Sequence, residues 1–343
     1  MNKDEKHLSR RGFIRTGGTL LGASLGSGAM FGAPAILKNW GRPDSFISGV
    51  NIGVITYSFR SLPDQSAEAT LQYIVDSGLG ATELMGDPAE SYAGKPTNPV
   101  DRSAFNALRR KEMLSENDKK ELAEMQKAMD AYDSEVAIWR AKAPLEKFKE
   151  VKKMFDAKGV HIYAFKPSAF GRNNTDAEIV YGMKAAKMLG ASHVTLENPG
   201  DDAQTLRLGK LAKKHKVYVA YHGHEQQTPT FWDTALKQSP YNAMNIDIGH
   251  YVAAGNPDPL GILQEKHDHI KSMHLKDRQT PAHGKKNLPW GMGDTPIKDI
   301  LELMRTKKYE FPATIELEYA IPDDSDAVKE VQKCLSYCEK VLG

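Results

Sequence analysis

Cysteine is almost missing. The 343 residues hold two, Cys334 and Cys338, one helical turn apart near the end. Nothing beside them completes a set of four ligands. A disulfide framework and a cysteine-based zinc module are both excluded, and the pair reads as small residues packing against a core. An excess of one charge is also missing, the formal balance being +2. No basic stripe runs through the chain, which removes the main electrostatic support for nucleic-acid binding. Long apolar runs are absent too. The weakly apolar stretch Thr16–Gly32 is interrupted by six glycines and lacks the bulk for a stable membrane span.

What the amino terminus does contain is Ser9-Arg10-Arg11-Gly12-Phe13-Ile14-Arg15, that apolar stretch, and then Ala33-Pro34-Ala35. Paired arginines, a soft apolar run and a small-x-small site resemble a bacterial twin-arginine export signal. The resemblance implies a signal over 1–35, a linker over 36–50, the folded-protein export machinery as a partner and a periplasmic or exported destination. The segment has five bases against two acids, so the remainder carries about −1.

From residue 51 onward, eight short β-rich runs alternate with helical patterns: 52–57, 81–84, 160–165, 193–197, 217–221, 244–248, 270–275 and 313–318. Each reads as a covered strand with its polar residues gathered toward the carboxyl end. Between them, Val328, Val331, Leu335 and Cys338 form one apolar helical stripe, and Ile297, Ile300, Leu301 and Met304 form another. Gly159 and Gly190 close the helices that feed the third and fourth strands. Eight strand–helix units in series predict an α/β fold, a (β/α)8 TIM barrel over 51–343. About 75 residues separate the second and third runs, far more than one helix and two loops need. Residues 87–158 are therefore expected to form a helical insertion on the side where barrel sites form, as a lid, a rim or a dimer-contact arm.

The carboxyl ends of the strands carry the chemistry. Asp247, His274 and Glu316 occupy corresponding positions in the last strands, Glu197 ends the fourth, and His222 and His224 end the fifth. Adjacent barrel strands converge, so these groups lie within reach of one ion. Their oxygens and imidazole nitrogens suit Mn²⁺, Mg²⁺, Zn²⁺ or Co²⁺ without choosing among them. Each also has a plainer reading: Asp247 as a cap, His250 as a satisfied core histidine, Glu197 as a brace for the Asn198-Pro199 loop.

Tyr221-His222-Gly223-His224, Asp247-Ile248-Gly249-His250, His274-Leu275-Lys276-Asp277, the loop Trp290-Gly291-Met292-Gly293-Asp294, and Tyr309 seven residues before Glu316 together resemble the xylose-isomerase-like barrel superfamily, the sugar phosphate isomerase/epimerase group. The resemblance covers about residues 50 to 341 and implies a divalent ion held by Asp247, His274 and Glu316, with one carboxylate from an earlier strand. The strand-five pattern departs from the epimerases, which place a glutamate ligand there. Glu197 or His222 is expected to take that position.

Members isomerise or epimerise keto-sugars, dehydrate cyclic polyols or cut DNA at abasic sites; the last branch needs more histidines and a basic face. The shared chemistry is proton abstraction beside a carbonyl, giving an enediolate that a cation stabilises. In this scheme Glu197, Asp247, His274 and Glu316 hold the ion, and His222, His224, His250 and Lys276 handle protons, hydroxyls or anionic charge. Glu83, Trp290 and Asp277 are expected to reach substrate or orient its neighbours. Export and the lack of a phosphate cradle favour a non-phosphorylated keto-sugar. Isomerisation or epimerisation comes first, then elimination of water or an aglycone, then a non-catalytic carbohydrate-binding barrel. The oligomeric state, homo-oligomer or monomer, stays open.

Overall fold

The computed structural model describes residues 43–343, so the twin-arginine pattern and its processing site lie outside the described residues. A short β1 (Phe46–Ile47) runs antiparallel to β2 (Val50–Ile55). Strand β2 and seven others, β3 (Ala81–Met85), β4 (His161–Lys166), β5 (His193–Glu197), β6 (Tyr218–His222), β7 (Asn242–Asp247), β8 (Ile270–Leu275) and β11 (Ala313–Ile315), form one parallel sheet. The order β2-β11-β8-β7-β6-β5-β4-β3 closes through β2–β3 pairing. This is the eight-stranded barrel the alternation predicted. The short β9 (Asp277–Arg278) and β10 (Asn287–Leu288) make a separate two-stranded ribbon beyond β8.

Physical cause is visible in each unit. Helix α6 (Asp176–Leu189) opens on a reciprocal cap between Thr175 and Glu178 and closes at Gly190, whose φ of 82° a side chain would resist. The closing helix, α12 (Ala327–Leu342), buries Val331, Cys334, Leu335 and Cys338 along one face. Both cysteines are thus core residues with free thiols. Among the described residues no helix is long and apolar enough to cross a membrane.

The long connection between β3 and β4 folds into α2 (Gly86–Tyr92), α3 (Arg102–Arg109), α4 (Glu116–Lys142) and α5 (Leu145–Ala157). Helix α5 buries Phe148, Val151 and Phe155. The 27-residue α4 buries only Tyr132, Val136 and Arg140. Arg140 docks it by reaching Glu178 at 3.0 Å and the Ser168 carbonyl at 2.9 Å. Ser168 follows β4 at its carboxyl end, so α4 lies along the rim where the polar strand ends collect.

One close approach locks that rim. A Cβ on Gly249 would sit 2.3 Å from Lys276 Cγ and 2.6 Å from the Lys276 carbonyl oxygen. The backbone after β7 therefore fits against the backbone after β8 only through a missing side chain. Gly249→Ala is expected to cost about 1–3 kcal/mol by overpacking, read as a lower urea midpoint with an unchanged slope. An unchanged midpoint would show that the two segments are free to move apart.

Candidate active site

Parallel register sets the site. Asp247 pairs with His274, His274 with Thr314, and Glu197 with His222. The side chains two residues earlier on three of these strands, Thr195, Asn245 and Ser272, form an inner layer beneath them, because alternate residues of a strand face the barrel interior. Glu83, on β3, reaches the same layer and is fully buried.

That inner layer aims two imidazoles. His274 Nε2 lies 2.9 Å from Glu83 Oε2, which also accepts from Asn245 Nδ2 at 3.1 Å. Thr195 donates to Glu83 Oε1 at 2.6 Å. On its other side Asn245 accepts from His222 Nδ1 at 2.8 Å. An amide oxygen can only accept, so Nδ1 carries the proton of His222 and Nε2 keeps a free lone pair. Glu83 and Asn245 thus hold the outer nitrogens of both rings and turn His222 Nε2 and His274 Nδ1 toward the same point.

At that point stand Asp247 and Glu316. Asp247 Oδ1 caps the following helix, α9 (Ile248–Ala253), by accepting from the His250 amide at 2.8 Å. Its Oδ2 is buried without a hydrogen-bond partner and lies 3.9 Å from both His222 Nε2 and His274 Nδ1. Glu316 Oε2 is 2.8 Å from His274 Nδ1. One ligand atom from each of His222, Asp247, His274 and Glu316 lies within 4.8 Å of the others. Two imidazole nitrogens and two buried carboxylates brought together at this spacing are a donor set that fits a divalent cation.

The charges follow from this geometry. Burial pushes His274 down, but Glu83 and Glu316 outweigh it and bring it up to about 10. Burial raises Glu83, yet the His274 charge beside it brings it down to about 2. His222 is driven well below its ordinary value by burial and by the positive charges of Lys166 and His274, so it is neutral. Lys276 Nζ sits 2.7 Å from Glu316, 2.9 Å from Asp247 and 3.1 Å from Glu318. These are ion-pair distances, but none has the direction of a hydrogen bond. Burial alone would discharge the ammonium; Asp247 and Glu316 keep it charged.

The remaining expected residues are placed as follows. Glu197 stands apart from the four-residue group: it is about half exposed, 3.0 Å from Lys166 and 3.3 Å from His224 Nδ1. His222 occupies the fourth position instead. Glu83 faces the barrel interior behind His274, not the mouth where substrate would enter. Asp277 Oδ2 accepts from the amides of Gly291, Met292 and Gly293, and Oδ1 from that of Thr295. It shapes the glycine loop and does not touch His274 or Lys276 in that role. A Cβ on Gly293 would fall 2.2 Å from Asp277 Oδ1, which explains the glycine there. Trp290 is partly buried with its ring edge-on to Tyr337 at 5.9 Å, so its contact is with α12.

Sequence reading missed Asn245, Lys166, Arg278 and Glu318. Asn245 had a signal: it stands two residues before Asp247, hence on the same side of β7. Arg278 had none. It donates to His250 Nδ1 and, at 2.7 Å, to Glu225. A guanidinium cannot accept, so the proton of His250 sits on Nε2, which is buried without a hydrogen-bond partner and lies 3.5 Å from Glu318 Oε2. Burial, Lys276, His224 and Arg278 together depress His250 to about 2, leaving it a neutral donor.

The fold and this buried donor set define a (β/α)8 barrel with a His₂AspGlu centre at the carboxyl ends of its strands. Residues 112–338 match the family model for the xylose isomerase-like TIM barrel, and the chain belongs to that family. A curated inosose dehydratase from Clostridium tetani is 28% identical over 126 residues, 35% of this chain and 36% of that protein. The match thus spans about a third of the relative's length. Three solved structures share the fold. A sugar phosphate isomerase/epimerase from Parabacteroides distasonis is 17% identical, with 84% of this chain and 93% of that one aligned at a TM-score of 0.52. A 3-keto-D-glucoside 4-epimerase from E. coli is 11% identical, covering 85% and 99% at 0.55. A probable 3-DHS dehydratase from Bacillus anthracis is 14% identical, covering 84% and 99% at 0.55.

Glu83→Gln removes the charge behind His274 while keeping shape. Divalent-ion affinity is expected to fall about 10–100-fold, measured by calorimetry, with an unchanged circular-dichroism spectrum. An unaltered affinity would show that Glu83 does not act through His274.

Proposed function

We infer that this chain is a divalent-metal-dependent isomerase or epimerase acting on a non-phosphorylated keto-sugar. The observation that carries the reading is the convergence of one ligand atom each from His222, Asp247, His274 and Glu316 within 4.8 Å, with the far sides of both imidazoles held by the inner layer. His222, Asp247, His274 and Glu316 would hold the ion. When bound, it supplies Lewis-acid stabilisation of the negative charge that develops on a carbonyl oxygen as the neighbouring C–H bond breaks.

The chain's own residues divide the rest. His224 Nδ1 lies 3.3 Å from Glu197 Oε2, so a proton on Nδ1 faces that carboxylate and Nε2 is the nitrogen left to take a proton from a sugar carbon. Glu197 orients that base and balances the imidazolium that results. His250 presents an Nε2–H fixed by Arg278 and donates to a sugar oxygen. Lys276 adds fixed positive charge beneath the developing anion. Returning the proton to the other face gives an epimer, and returning it to the neighbouring carbon gives an isomer. The non-phosphorylated substrate is supported by the rim: Asp277 already occupies the amides of the glycine loop that a phosphate would need.

A second reading, elimination from the same carbanion, is favoured by one observation. The two proton-handling imidazoles, His224 and His250, stand with ring centroids 4.5 Å apart, and Glu197 pairs with Lys166 and His224 on that side. That leaves the acid–base groups clustered on one face. Mass analysis of the product separates the two: isomerisation and epimerisation keep the mass, and elimination releases water or an aglycone.

Asp247→Asn is expected to lower ion occupancy and turnover by orders of magnitude without altering the fold, and unchanged turnover would remove Asp247 from the centre. Ion uptake is also expected to depend on pH. His274 Nδ1 must be unprotonated to bind a cation, and without the ion the ring holds its proton up to about pH 10. Binding therefore displaces a proton, and affinity rises by about tenfold per pH unit below that value. Titrations at two pH values in buffers of different ionisation enthalpy measure it; a flat profile would contradict a ligand role for His274.

A further inference from the structure

The insertion has no part in the chemistry described so far, yet it borders a groove that begins at the site. A cavity of about 420 Å³ opens beside the imidazoles, with Lys166, Thr195 and Glu197 on its inner wall. Most of its remaining wall is apolar, formed by Met85, Pro167, Phe170, Leu196 and Pro199 at the ends of β3, β4 and β5, with Ser168, Asn174 and Asn198 at its edges. Phe170 is 2% exposed and its ring fixes Gly182, whose Cβ would meet it at 2.7 Å. The apolar wall is therefore a rigid surface.

A second cavity, of about 720 Å³, continues from the first and shares Ser168, Gly171 and Asn174 with it. Its far wall is α4, through Tyr132, Val136 and Arg140, and the rest of its lining is largely charged, with Asp87, Lys95 and Arg172 among it. Arg140 pins α4 to the Ser168 carbonyl at the junction of the two cavities. The groove thus runs from Glu197, which touches the base His224 at 3.3 Å, over an apolar floor, to the underside of the insertion.

A free monosaccharide bound at the centre would leave this groove empty. Its first part is as large as a ring-sized organic group requires, and its apolar lining matches such a group better than a second sugar. We propose that the first cavity is an aglycone subsite, so that the substrate is a keto-glycoside whose sugar ring lies over the His₂AspGlu centre and whose apolar, ring-sized aglycone lies against the apolar wall. This deepens the reading of the site as a keto-sugar centre and rests on it.

The test compares calorimetric affinities of the Mn²⁺-loaded full chain for methyl and naphthyl keto-glucoside. The blocking variant is Ser168→Trp, at an exposed position on the wall of both cavities and outside the proposed ion-binding and proton-transfer groups. Naphthyl keto-glucoside is expected to bind at least about tenfold more tightly than the methyl compound. Ser168→Trp should abolish that advantage and leave methyl keto-glucoside within about twofold of its original affinity. Equal affinities in the unmodified chain would overturn the subsite while leaving the keto-sugar reading intact. An advantage that survives Ser168→Trp places the aglycone elsewhere and overturns it as well. A keto-disaccharide that binds as tightly as the naphthyl compound overturns the apolar class. Failure of both glucosides to bind, with Mn²⁺ bound normally, overturns the reading beneath it.

Discussion

An imidazole held between two carboxylates organises everything else in this barrel. Glu83 grips one nitrogen of His274 from inside the barrel and Glu316 approaches the other from the mouth. Burying so many acids at the end of a parallel sheet is costly unless positive charge meets them. In the chain by itself that charge is supplied by His274 and Lys276. A divalent cation at the centre would take over from the proton on His274, which is why acid strength, ion binding and chemistry are coupled here. The cost of the arrangement is borne by the barrel, whose closed ladder leaves the strand ends no freedom to separate.

The inner layer turns this electrostatic requirement into geometry. Asn245 is the pivot: its oxygen fixes the proton of His222, and its nitrogen donates to the carboxylate that fixes His274. One amide thus decides which nitrogen of His222 is free and steadies the group that decides it for His274. Arg278 does the reverse for His250, fixing the proton on the nitrogen that faces the site. The three imidazoles differ in protonation because their partners differ: an amide oxygen for His222, two carboxylates for His274 and a guanidinium for His250.

Much of this was legible from the residues in order. Eight apolar runs alternating with helical patterns predicted the barrel, and the polar residues gathered at their carboxyl ends put Asp247, His274 and Glu316 at corresponding positions, because register in a closed parallel sheet leaves little choice. Gly159 and Gly190 marked helix ends and do adopt left-handed φ values of 79° and 82°. The direction of a side chain was harder to read. Glu83 and Glu197 are both acids near strand ends, yet one points inward to His274 and the other outward to Lys166. Spacing carries no sign for that difference. Asp277 was misleading for a related reason: next to a lysine and a histidine it looked like their partner, while its acceptors serve amides fourteen to eighteen residues away. The insertion declared its length and helical content, and its position over the groove is set by long-range contacts, Arg140 with Ser168 and Glu178 and Trp139 with Tyr181, that no local pattern encodes.

The account stands on His222 completing the centre in place of a strand-five carboxylate, with Glu197 left to serve His224. Anomalous diffraction from a crystal of the Mn²⁺- or Zn²⁺-loaded protein tests this most directly. The predicted result is one ion at about 2.0–2.3 Å from His222 Nε2, Asp247 Oδ2, His274 Nδ1 and Glu316, with Glu197 still turned toward His224. An ion bound through Glu197 with His222 outside its coordination, or no ion among these four side chains at all, would contradict it.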